Sequence, residues 1–254
     1  MELGANTTEY RSFTLDNYGC KYLLLAGDIG SVGKKTHHEP FTKWLSSTCK
    51  NYNLVFWIGG NNEFKGNTIA YGLETMRRFA AHPDMQGKLI VLENDRYDMT
   101  RYGYNVTILG CVLWTHILDS QPRTDGVIKG NSKKAHNARN EESLGWIKSE
   151  VAAIRREDPK RRILVLTHHA PTGTGSSRPE QDDFNSSTWS AYVNDILGGE
   201  GVRGLQPGDV WAFGHTHWSC DFESDGVRVI ANQRGGPAAD PQATRWGQFP
   251  VFEM

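Results

Sequence analysis

Seven short apolar runs recur along the chain, over residues 22–28, 54–60, 88–94, 106–114, 162–169, 210–217 and 227–233. Most are continuous rather than alternating in polarity, as in "YLLLAGD", "LVFWIGG" and "RILVLTHH". A strand with solvent on one face alternates, whereas one covered on both faces reads as an unbroken run of Val, Ile and Leu. Between the runs lie segments with helical spacing. In "EESLGWIKSEVAAIRRE" (141–157), Leu144, Ile147, Val151 and Ile154 share one stripe. Acids open that segment and Arg155 and Arg156 close it, as the helix dipole prefers. "IAYGLETMRRFAAH" (69–82) and "TWSAYVNDILG" (188–198) carry weaker helical patterns, and the polar stretch 170–188 reads as a long loop. Strands alternating with helices predict a layered α/β domain. No repeat or linker divides the chain, so a single domain over 1–254 is expected.

Composition narrows the partners. Apolar residues make up 38% and charged residues 22%, with a formal net charge of -1. That balance gives no sign of a polybasic grip on nucleic acid or on an anionic membrane. No apolar run approaches the roughly 20 residues that span a bilayer. The cysteines, Cys20, Cys49, Cys111 and Cys220, are scattered with no paired spacing, so reduced thiols and a cytoplasmic location are expected.

The apolar runs share an unusual ending. One stops at Asp28, one at Asn61, Asn62 and Glu63, one at His168 and His169, and one at His215 and His217. Open α/β sheets bind ligands outside the carboxyl ends of their strands, so these tips are expected to converge. Carboxylate, carboxamide and imidazole together suit a borderline divalent ion such as manganese, iron or zinc. In "GHTH" the two histidines are two apart, and on a strand they would face the same side. Taken singly, each tip has a plainer reading as a turn or a buried histidine. Their joint occurrence at successive strand ends favours a metal centre.

Four of these stretches, "GDIG", "GGNNEF", "THHAP" and "GHTHWS", resemble successive motifs of the calcineurin-like metallophosphoesterases. "VTILGCVLWTHI" and "ANQRGG" resemble the branch of that family common in fungi and bacteria. The resemblance implies a four-layer α-β-β-α sandwich and a metal-dependent phosphoesterase that hydrolyses a phosphate mono- or diester with metal-activated water. Carried over residue by residue, Asp28 would bridge two divalent ions. Asn61, His168 and His215 would complete one site and His217 would belong to the other. His169 would be a neighbour. His116, Asn232 and Arg234 are weaker candidates for holding the phosphate ester.

Two departures from the family pattern stand out. The opening D-x-H motif is absent, while "MELGANTTEYRSFTL" looks like its continuation, so the sandwich is expected to lack its first strand. With that motif gone, one ion should be held firmly and the second weakly. The family's GNHE motif reads Gly60-Asn61-Asn62-Glu63 here. A carboxamide cannot deliver a proton at neutral pH, so impaired turnover is expected at Asn62. The alternative is a non-catalytic descendant that keeps one metal and binds a phosphate ligand or a protein. "GSVGKKT" falls short of a P-loop and reads as a basic loop. Neither a G-x-S-x-G elbow nor a dinucleotide fingerprint occurs.

Overall fold

The computed structural model describes residues 14–15, 17, 19–120, 127–177, 196–197 and 201–233. The strands are β1 (Tyr22–Ala26), β2 (Leu54–Ile58), β3 (Leu89–Leu92), β4 (Asp95–Asp98), β5 (Val106–Cys111), β6 (Arg162–Thr167), β7 (Val210–Ala212), β8 (Cys220–Ser224) and β9 (Val227–Ala231). The α-helices among the described residues are α1 (His38–Asn51), α2 (Ile69–Ala80) and α3 (Lys133–Glu157). Strands β1-β2-β3 form one parallel sheet, and β4-β5-β6-β7-β9-β8 form a second, antiparallel only at its two outer pairs.

The unbroken apolar runs follow from a double covering. In β2, Val55 and Trp57 pack with Phe41, Trp44 and Leu45 of α1 and with Met76 and Phe79 of α2. Its alternate residues Leu54, Phe56 and Ile58 pack between the sheets with Ile108, Leu164 and Leu166. The second sheet repeats the pattern. Ile163 and Val165 of β6 turn toward Ile147, Val151 and Ile154 of α3. The layers therefore run helices, sheet, sheet, helix, as the resemblance implied. Truncating the fully buried Trp57 to Ala would cost about 3–5 kcal/mol, since lost contacts and a cavity add.

Four elements differ from the sequence expectation. Helix α1 was not expected, although Phe41, Trp44, Leu45 and Cys49 recur at helical spacing and form its buried face. Helix α3 starts at Lys133, about two turns before the expected segment, with the Ser132 hydroxyl accepting the Ala135 N–H at 3.2 Å. Its first turns face polar loops, so they carry Asn137, Arg139 and Asn140 instead of leucines. Strands β4 and β8 are outer strands with polar sequences, "DRYD" and "CDFES". The expected helix over 188–198 falls almost wholly outside the described residues.

The sheets present their carboxyl ends on one side. Just beyond β1 the chain turns left-handed at Gly27 (φ 78°) and again at Asp28 (φ 53°). A side chain at Gly27 would stand 2.8 Å from the Gly60 backbone, so the ends of β1 and β2 approach each other only because glycine is there.

Candidate metal centre

Four loops bring the strand tips together. Asp28 follows β1, Asn61 follows β2, His168 is the first residue after β6, and His215 lies three residues beyond β7. One donor atom each from Asp28, His168 and His215 falls within 4.8 Å of the others. His168 Nε2 is 3.0 Å from Asn61 Oδ1, 3.1 Å from His215 Nδ1 and 3.6 Å from Asp28 Oδ2.

The tautomer of His168 follows from its other nitrogen. Nδ1 is 2.8 Å from the Ala26 carbonyl oxygen, which can only accept, so Nδ1 carries the proton. Burial lowers the pKa of His168, outweighing the Asp28 charge that pulls the other way, so the ring is neutral near pH 7. Its Nε2 then has a free lone pair, which accepts from His215 Nδ1 at 3.1 Å and also faces an amide oxygen and a carboxylate oxygen. Imidazole nitrogens and oxygens that converge this closely suit a cation. A ring that donates its far N–H to a backbone carbonyl is also the usual arrangement of a metal-bound imidazole. The residues present therefore fit a divalent ion.

Asp28 is almost wholly buried. Burial works against its charge, but the imidazoles of His168 and His215 and the Asn62 N–H prevail and lower its pKa. Asn62 grips it twice, through the backbone N–H to Oδ1 at 2.7 Å and through Nδ2 to Oδ2 at 2.8 Å. The carboxamide meant to stand in for the family's histidine thus points into the carboxylate.

Two residues outside the expected ligand set hold these loops. Glu63 is completely buried, with Oε2 accepting N–H groups from Asp28 and Gly60, both at 2.8 Å. Its Oε1 accepts from Ile29 at 2.7 Å and Gly30 at 3.1 Å. Burial and the Asp28 charge push its pKa up to about 8 against these four bonds. Gln233 does the same for the histidine turn. Its Nε2 lies 3.0 Å from the Gly214 oxygen, 2.9 Å from Thr216 Oγ1 and 3.0 Å from the Trp218 oxygen, and its Oε1 accepts the His217 N–H at 2.7 Å. The buried polar side chain in "ANQ" is thus Gln233, and Asn232, the expected phosphate-ester residue, is exposed. Sequence offered a weak signal for each: an acid closing "GGNNE" and an amide at the end of β9.

The histidine turn corrects one expectation. Strand β7 ends at Ala212, and His215 (φ 67°) and His217 (φ 54°) both sit in left-handed backbone. The same-face rule for strands therefore does not apply to them. His217 is half-buried and is not part of the converging donor group among the described residues. His116 is half-buried on the loop after β5. Arg234 lies outside the described residues. His169 is buried with its ring 4.3 Å from that of His215 and its Nδ1 3.3 Å from the Val112 oxygen.

A family model described as calcineurin-like phosphoesterase matches residues 5–219. The chain belongs to that family. It is 25% identical over 255 aligned residues to the uncharacterized protein L509 of Acanthamoeba polyphaga mimivirus, covering 88% of this chain and 81% of that protein. Two solved structures are similar. One is the phosphopantetheinyl hydrolase PptH of Mycobacterium tuberculosis (TM-score 0.49, 15% identity, 85% of this chain and 79% of that one). The other is the sulfate thiohydrolase SoxB of Thermus thermophilus (TM-score 0.45, 11% identity, 83% and 33%). The family uses divalent metal ions, and Asp28, His168 and His215 form a group that could hold one.

Proposed function

We propose that this protein hydrolyses a phosphate mono- or diester at the ends of β1, β2, β6 and β7. Asp28, Asn61, His168 and His215 would hold one divalent ion, with manganese the first candidate. Asp28 and His217 would offer a second, weaker position. The observation that carries the reading is the convergence on His168 Nε2 of Asn61 Oδ1 at 3.0 Å, His215 Nδ1 at 3.1 Å and Asp28 Oδ2 at 3.6 Å.

A divalent ion bound there supplies Lewis acidity toward a phosphate oxygen and makes water acidic enough to be a nucleophile near neutral pH. The chain's own residues do the rest. The Ala26 carbonyl fixes the His168 tautomer, and Asn62 holds both oxygens of Asp28 in place. His116 and Arg234 are assigned to the phosphate ester. Asn62 supplies hydrogen bonds but no proton for the leaving group, so slow turnover of esters with poor leaving groups is expected. The four cysteines are free thiols, which supports a cytoplasmic setting.

The test is hydrolysis of an activated aryl phosphodiester with Mn²⁺, beside Asp28→Ala, together with calorimetric Mn²⁺ binding. Turnover and binding lost together in the variant support the reading. Tight Mn²⁺ binding with no turnover on any ester would instead support a non-catalytic phosphate-binding descendant, which the engagement of Asn62 with Asp28 favours. No Mn²⁺ binding would refute both.

A further inference from the structure

The net charge of -1 hides an uneven distribution. Three segments, 30–38 (GSVGKKTHH), 61–68 (NNEFKGNT) and 127–134 (VIKGNSKK), carry the lysines Lys34, Lys35, Lys65, Lys129, Lys133 and Lys134. Their single carboxylate is Glu63, which is fully buried. The remainder of the chain therefore holds the negative excess.

The three segments form one rim. The Gly66 N–H donates to the Val127 oxygen at 2.8 Å and the Lys129 N–H to the Asn67 oxygen at 2.9 Å. A side chain at Gly33 would meet Asn67 Nδ2 at 2.5 Å and the Lys65 oxygen at 3.1 Å, so the first loop lies directly on the second. This rim adjoins the metal centre. Its first segment starts two residues after Asp28, and its second opens with Asn61 and Asn62. A chain of rings also leads inward: Phe64 lies 6.0 Å from Trp114, Trp114 5.8 Å from His169, and His169 4.3 Å from His215. Lys133 is tied to the Leu118 and Asp119 oxygens at 3.0 and 3.1 Å. The other five are exposed and form no ion pair among the described residues.

We propose that this lysine rim binds a run of phosphates, so that the substrate class is a polyphosphate chain or polynucleotide strand rather than an isolated monoester. This rests on the reading of the Asp28–His168 cluster as the phosphoester centre. Lysines carried on three touching loops concentrate positive charge along one rim, and an ammonium acts as a point charge well suited to phosphate. Binding to a run of phosphates releases condensed counterions, which makes affinity fall steeply with salt. A lone phosphate held at the metals would leave the rim unused.

The test measures binding of a fluorescein-labelled thymidine decanucleotide by anisotropy, in EDTA, at about 50 and 200 mM salt. Working in EDTA reads the rim without the metal centre, so failure here is distinct from failure of the hydrolytic reading. The variant is K34E/K65E/K129E. The control, K50E/R156E/K160E, makes the same charge change at exposed positions near the far ends of α1 and α3. The rim variant should bind at least about tenfold more weakly, with a salt slope shallower by about two, and the control should stay within about twofold of wild type. Should the reversal destabilise the fold, K34Q/K65Q/K129Q should give a smaller loss of the same kind. Tripolyphosphate competing at equal phosphate would point to any phosphate chain, and failure to compete would single out polynucleotide. Equal binding by rim and control variants, or no wild-type binding at about 50 mM salt, would overturn the proposal.

Discussion

Glu63 Oε2 accepts the backbone N–H of Asp28 at 2.8 Å, so a residue outside the ligand cluster sets where its carboxylate stands. The same side chain takes N–H groups from Ile29, Gly30 and Gly60. Replacing it with Gln turns one acceptor oxygen into an NH₂ that faces donors. A buried N–H left without a partner costs about 1–3 kcal/mol, and two are affected, so Glu63→Gln should lose about 2–6 kcal/mol. Thermal unfolding should show a fall of at least about 5 °C. An unchanged midpoint would mean that the four bonds contribute little.

The ends of the apolar runs were legible because a carboxylate or imidazole after an unbroken strand is chemically conspicuous. Asp28, Asn61, His168 and His215 could all be found that way, and so could the two-sided burial of β2 and β6. The roles of Glu63 and Gln233 were not, because each pairs with groups on other loops, and no local spacing records such pairings. The left-handed backbone at His215 and His217 was invisible for the same reason. Strands β4 and β8 escaped because their outer-strand sequences are largely polar, whereas the stripe of α1 at Phe41, Trp44, Leu45 and Cys49 was legible.

Gln233 has both an acceptor and a donor in use on one turn. Gln233→Glu keeps the bond from the His217 N–H but loses the donors to Gly214, Thr216 and Trp218. Partners of metal ligands typically contribute 10–100-fold in affinity, so Mn²⁺ binding measured by calorimetry should weaken by about that factor. Affinity equal to wild type would remove Gln233 from any role in positioning the turn.

Gly27 combines positive φ with crowding from both sides. An added methyl would stand 2.5 Å from His168 Nδ1 and 2.8 Å from the Gly60 backbone. Left-handed strain and overpacking together predict a loss of about 2–4 kcal/mol for Gly27→Ala, read from denaturant midpoints. A neutral outcome would show that the β1 and β2 ends can separate freely.

Glu93, just after β3, gives a pH-dependent prediction away from the centre. Burial, with the nearby Asp95 charge, pushes its pKa up to about 7, and its Oε2 has no hydrogen-bond partner. A carboxyl whose pKa is higher folded than unfolded destabilises the protein progressively between the two values, here from about pH 4.3 to about 7. Glu93→Gln removes that penalty. It should raise stability by about 1–3 kcal/mol at pH 8 and much less at pH 5, measured by urea unfolding at both. An equal gain at the two pH values would assign the effect to packing instead.

Asn62→His tests whether the carboxamide limits catalysis. In the present arrangement Nδ2 donates to Asp28 Oδ2 at 2.8 Å, and the backbone N–H to Oδ1 remains whichever side chain is present. Asp28 therefore keeps one anchor when the side chain changes. An imidazole at this position can release a proton near neutral pH, where a carboxamide cannot. General acid help is worth about 10²–10⁴-fold and matters most when the leaving group is a poor one. The variant should speed an alkyl phosphodiester by about 10²-fold and an activated aryl ester far less, read as kcat for the two esters side by side. Equal acceleration of both would point to an electrostatic effect on Asp28 rather than proton donation. No acceleration of either would show that position 62 does not limit turnover.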